Sequence, residues 1–200
     1  MPDDISRIID CALLRWLPGI GDPNVAGWLT VAAYVVAALF ALVLAAKRDR
    51  PGLERAFWAV AGAGLLFLAV NKQLDLQSFL TAVGRCTAQL QGWYDMRRTV
   101  QADFVFGLIA LAVLGGIATF WLLRRTVRRT GVALLGLVWI TGFVLVRAVG
   151  FHNVDRLIGM RLGGMRLNWV FELGGIFVFL LGCVVALRSR RPRRSGGRPG

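Results

Sequence analysis

Five long stretches with at most one charge each decide what this chain can fold into. They run from Ala26 to Ala46, Ala56 to Val70, Phe104 to Leu123 and Gly131 to Val146, and the fifth, Trp169 to Leu187, is interrupted only by Glu172. The hydrocarbon core of a bilayer is about 30 Å thick and takes about 20 apolar residues as a helix, the form that satisfies every backbone group within its own segment. Alternating strands of roughly ten residues, from which a barrel closes, do not occur in the sequence. Hydrophobic residues make up 56 % of the 200 positions, above the roughly 45 to 50 % of soluble domains. The fold expected is therefore all-α: a polytopic membrane bundle of five transmembrane helices, near 26–46, 56–75, 104–123, 131–149 and 169–187.

The flanks read differently. In residues 1–24, Ile5, Ile8, Ile9, Ala12, Leu13 and Trp16 recur at helical spacing before the breaker "PGIGDP". This predicts a short amphipathic helix on the extracytoplasmic interface; a lid over the outward helix ends is the alternative. The opening "MPDDISRIIDCALL" is acidic where a signal peptide is basic, so no cleaved signal is expected. Residues 188–200 form a basic tail, expected to be disordered, cytoplasmic and turned toward anionic lipid.

Charge orients the spans. With Lys47 to Arg55 in the cytoplasm, alternation puts Arg124 to Arg129 and the tail there too, and that side holds 14 of the 24 basic residues against only Asp49 and Glu54. The other side keeps 10 basic residues and 9 acids. The positive-inside rule then places the amino terminus outside and the carboxyl terminus in the cytoplasm. The net charge of +13 is accounted for as a topology signal, and no nucleic-acid partner is expected.

The outward helix ends are where polar residues collect. The second span runs directly into "NKQLDLQ", and its apolar part, Ala56 to Val70, covers only about 22 Å at 1.5 Å per residue. Asn71, Lys72, Gln73, Asp75 and Gln77 must help to finish the crossing, and they point to three sides of the helix. That end is expected to be surrounded by protein or water, with the helix continuing through much of the amphipathic run Leu76 to Trp93. Asp75 is expected to pair with Lys72 or an arginine. The loop "GWYDMRRTVQADF" adds Tyr94, Arg97, Arg98 and Gln101, Arg147 ends the fourth span, and "GFHNVDRLIG" adds His152, Asp155 and Arg156. In "NWVFELGG" Asn168 and Glu172 stand one turn apart, with Gly174 and Gly175 allowing another helix to come close. The cytoplasmic loops read as short and simply basic, with no comparable cluster. Two readings compete for the outward cluster: ion pairs that fix helix register, and a site.

The strings "NKQLDLQSFLTAVGR", "GWYDMRRTVQ", "FHNVD" and "NWVFEL" resemble a group of small bacterial multi-pass membrane proteins with the same order of segments and no established activity. The likeness covers roughly Ala56 to Gly182 and, with the charge pattern, implies the bacterial cytoplasmic membrane. An isopropylmalate isomerase label attached to some such proteins would require an iron–sulfur cluster on three neighbouring cysteines. Cys11 and Cys86 fall outside and Cys183 near the inner face, so they cannot hold one cluster. Whether Cys11 and Cys86 form a disulfide is open in the sequence.

A single histidine argues against a zinc site or bis-histidine haem, and neither a metal nor another cofactor is expected. Acid–base candidates are His152, Asp155, Asp75 and Glu172. Three functions follow: a binding or accessory protein taking an anionic head group, a glycan or a membrane protein partner; an enzyme acting on a lipid-linked substrate at the outer face; and a small ion or proton carrier. The first is preferred, because Arg97, Arg98, Arg147 and Arg156 suit phosphate or carboxylate.

Overall fold

A computed structural model of the chain describes residues 2–16, 19–149, 161–162 and 165–189. It is helical almost throughout: α1 (Pro2–Arg15), α2 (Val25–Ala46), α3 (Gly52–Leu74), α4 (Leu76–Leu90), a 3-10 turn (Tyr94–Met96), α5 (Arg97–Leu123), α6 (Val127–Val149) and α7 (Leu167–Arg188). The extended pairing among the described residues is a two-residue ladder of Arg161–Leu162 against Met165–Arg166 just before α7. Five helices, α2, α3, α5, α6 and α7, are long and apolar enough to cross a membrane. Large apolar side chains ring their outer surface, among them Phe40, Phe67, Leu114, Leu135 and Phe177. In lipid that girdle is at home, whereas in water it would be an aggregation surface.

Small residues set the packing. α2 lies along α3, α6 along α7, and α2 against α7. Between them are buried Tyr34, Ala37, Ala38 and Ala41 of α2, Trp58, Ala61 and Leu65 of α3, and Ile176, Phe179 and Cys183 of α7. With no hydrophobic drive between helices in lipid, close backbone approach supplies the dispersion contacts. α6 and α7 nearly touch: a Cβ on Gly182 would lie 2.2 Å from the Ala133 nitrogen, and one on Gly136 2.4 Å from the Phe179 nitrogen. Gly175 meets Ile140 in the same seam, as expected from "LGG", while Gly174 has only ordinary contact with Trp139. Gly182→Ala should therefore force backbones apart and lower the melting temperature of the detergent-solubilised protein, by an overpacking cost of about 1 to 3 kcal/mol. Gly107→Ala, where a Cβ meets nothing within 4 Å, should melt like the parent.

The second span does not continue outward as expected. α3 stops at Leu74, Asp75 adopts the left-handed conformation (φ 48°, ψ 49°), and α4 starts afresh at Leu76. Asp is one of the few non-glycine residues that visit this region, so the turn residue is Asp75 itself. α4 then packs on α1 through Ala12, Ala82 and Cys86, with Ile8, Trp16, Phe79 and Val83 around them. The Trp16 and Phe79 rings are 5.0 Å apart, Arg15 donates to Gln89 at 2.8 Å, and a Cys11–Cys86 disulfide joins the two helices.

Candidate functional site

The last turn of α3 carries the site, and its free carbonyls show how the site is built. The Asp75 N–H donates to the Asn71 carbonyl at 3.0 Å, and the Gly21 N–H donates to the Gln73 carbonyl at 2.7 Å. The segment between α1 and α2 thus runs as a strap across the end of α3, satisfying a group the helix cannot satisfy itself. Gly21 fits there because a Cβ would already lie 3.2 Å from the Gln73 oxygen. At the far end of the strap, Asn24 caps α2 by accepting from the Gly27 N–H at 2.8 Å and donates to Asp22 at 2.5 Å. Gly27 is required at this crossing, since a Cβ would come within 2.3 Å of the Asp22 carbonyl.

The strap delivers Asp22 to Lys72. The Lys72 Nζ lies 2.9 Å from Glu172 Oε2 and 3.4 Å from Asp22 Oδ2, and the side chains of Lys72 and Glu172 are 3 % and 5 % exposed. Tyr34 donates its hydroxyl to Glu172 Oε1 at 3.1 Å. Two carboxylates therefore converge on one ammonium and a phenol holds one of them, the four groups coming from α2, α3, α7 and the strap. They border a cavity of about 50 Å³, also lined by Asn71, Asp75, Leu68, Phe143 and Val144. Such a volume holds a few water-sized groups. On the same helices as Lys72 and Glu172, both amide atoms of Gln73 and the Asn168 Oδ1 are buried without a hydrogen-bond partner among the described residues.

Of the residues singled out in the sequence, the structure brings Asn71, Lys72, Asp75 and Glu172 to this cavity. Gln73 and Asn168 are half-buried on the same helices, and Tyr94 opens the 3-10 turn without lining the cavity. The side chains of Gln77, Arg97, Arg98, Gln101 and Arg147 lie outside the described residues, as do His152, Asp155 and Arg156 altogether. One expectation is corrected: Lys72 pairs with Glu172 and Asp22 rather than with Asp75, whose carboxylate accepts from Ser78 at 2.6 Å, while the arginines expected as its other partners have side chains outside the described residues. Asp22 and Tyr34 were missed: the first sits in a motif read as a breaker, and the second carries no charge to mark it in an apolar span.

The opposite end of the bundle is also a correction. It is not simply basic, because α3 begins at Gly52 and turns Glu54 into the core, where it is fully buried and paired with Arg50. Arg50 also donates to the Ala186 carbonyl at 2.6 Å near the end of α7, and Arg129 lies 3.9 Å from Glu54. Glu54 Oε2, Arg50 Nε and Trp58 Nε1 are buried without hydrogen-bond partners among the described residues.

Comparisons with family models, curated proteins and solved structures find no match for the chain. Fold and site define the class: a multi-pass membrane helix bundle with a buried, charged cavity near one end and a buried ion pair near the other.

Proposed function

We propose that the protein is a binding protein of the bacterial cytoplasmic membrane, amino terminus outside and carboxyl terminus inside, whose outward cavity holds the polar group of a ligand. The observation that carries this reading is the Lys72 ammonium shared by Glu172 and Asp22 on the wall of a cavity. Ion pairs that only fix helix register need no room beside them, whereas this network borders a space that holds a few water-sized groups. Orientation is supported by the charge asymmetry and by the Cys11–Cys86 disulfide, which stands at the Lys72 end and suits an oxidising compartment. The enzyme reading draws its acid–base candidates from His152, Asp155, Asp75 and Glu172; the first two lie outside the described residues, while Glu172 is held by Lys72 and Tyr34 and Asp75 accepts from Ser78. The carrier reading gains Glu54 at the inner end, but the core between Trp58 and Tyr34 is packed with Ala37, Ala38, Ala41, Ala61 and Leu65.

Orientation is checked with a periplasm-active reporter fused after Trp93 and a cytoplasm-active one after Arg128, both of which should be active; inverted activities would move the cavity to the cytoplasm. Binding is checked by melting the solubilised protein with and without a polar lipid extract. The midpoint should rise for the parent and stay unchanged for Glu172→Gln, which retains an acceptor for Tyr34 and leaves Lys72 paired with Asp22. An equal rise for both would remove the cavity from the binding site.

A further inference from the structure

The geometry points to an amphiphile as the ligand: a membrane lipid with an amine-bearing head group, its head in the Lys72 cavity and a hydrocarbon chain in the groove between α3, α5 and α6. This rests on the binding reading above and specifies its ligand. α5 is the loosest of the spans, its apolar stretch only 6 % buried, and it leans on α6 while barely reaching α3. The gap left is an apolar groove of about 1100 Å³, walled by residues such as Phe57 and Leu65 of α3, Ile109 and Gly116 of α5, and Leu137 and Leu145 of α6. Along α3 it runs from Leu53 to Leu68, about 22 Å at 1.5 Å per residue and so most of the hydrocarbon thickness.

Groove and cavity adjoin. Leu68 lines both, and on α6 the groove residues Gly142 and Leu145 bracket the cavity residues Phe143 and Val144. An occupant that uses both is long and apolar with one small polar end. A helix of a partner would fill the groove, but its end does not fit a cavity of about 50 Å³. A free polar solute would fill the cavity and leave the groove unused. The charge of the head follows from the described lining, in which Asp22, Asp75 and Glu172 outnumber Lys72. Asp75 faces the cavity with Ser78 as its described partner, which makes it the acceptor for an ammonium. A purely anionic head would meet an excess of carboxylates.

The test uses the full chain, purified in mild detergent and offered phosphatidylethanolamine or phosphatidylglycerol of identical chains, with bound lipid counted by native mass spectrometry. Glycerophosphoethanolamine, the same head without chains, is the third probe. One phosphatidylethanolamine per chain is expected to be retained over phosphatidylglycerol by about tenfold, roughly the worth of one charge-assisted hydrogen bond. Glycerophosphoethanolamine should bind more weakly and lose its binding both in Asp75→Asn, which neutralises the acceptor, and in Glu172→Gln. Gly64→Phe and Gly116→Phe fill the groove from opposite walls where a Cβ meets nothing within 4 Å. Each should keep the parent's melting temperature in detergent and weaken retention by about tenfold or more, by displacing a few buried methylenes. Unchanged retention in both groove variants, with head-group binding intact, would overturn the chain placement while the binding reading stands. Preference for phosphatidylglycerol would overturn the amine assignment, and a second protein chain retained in the groove would overturn the lipid occupant. Absence of any Glu172-dependent binding by the three probes would overturn the binding reading itself.

Discussion

Arg50→Met is expected to be among the most destabilising single substitutions in the protein, and Glu54→Gln one of the milder ones at the same site. Arg50 makes two contacts that nothing else replaces: its guanidinium pairs with Glu54, and it donates to the Ala186 carbonyl at 2.6 Å. Methionine fills much of the arginine's volume but leaves a fully buried carboxylate whose nearest remaining described cation, Arg129, is 3.9 Å away. Breaking a buried pair from one side costs about 3 to 5 kcal/mol, because the desolvated charge left behind has lost its compensation. Glu54→Gln still accepts from Arg50, and Arg50 keeps the carbonyl near the negative end of the α7 dipole. The double variant Arg50→Met/Glu54→Leu removes both charges and should recover most of the loss, since apolar replacements of buried pairs are often neutral. Thermal unfolding in detergent of the parent, Arg50→Met, Glu54→Leu and the double variant gives the coupling directly. If Arg50→Met melts like the parent, the pair is hydrated or Arg129 has taken it over, and this end of the bundle is not a structural lock.

The contrast between the two ends explains what was legible in the sequence. That the chain forms five long apolar helices was readable because a bilayer demands an unbroken apolar run, and no tertiary contact relaxes that demand. Lys72 and Glu172 were readable for the same reason: each is a charge within or at the edge of an apolar span, and such a charge needs a partner. Glu54 was not, because one acid among Lys47, Arg48, Arg50 and Arg55 looks like a solvated loop residue until α3 is seen to begin at Gly52. The break at Asp75 was hidden as well. Amphipathic periodicity carries on across it into α4, and one left-handed residue leaves no mark on a period. Asp22 belongs to a third kind: its role depends on where the strap crosses α3, through Gly21 and the Gln73 carbonyl, and that is a tertiary fact.

Substitutions at the cavity separate scaffold from site. Lys72 is the single described cation for two acids there, so Lys72→Met leaves Glu172 and Asp22 facing each other and should cost about 3 to 5 kcal/mol or more. Asp22, 21 % exposed, can be partly relieved by water, whereas Glu172, 5 % exposed, cannot. Glu172→Gln is the gentler change, because Lys72 keeps Asp22 and Tyr34 keeps an acceptor. The decisive variant is Lys72→Met/Glu172→Leu, which replaces the buried pair by apolar side chains and leaves only the more exposed Asp22 charged. It should melt much closer to the parent than Lys72→Met does. If the pair serves only to hold α3 against α7, this double variant should also restore whatever phenotype deletion of the gene produces. If the pair holds a ligand's polar group, the double variant should fold and fail to restore it. Full complementation by a folded Lys72→Met/Glu172→Leu protein would reduce the cavity to a packing feature between helices.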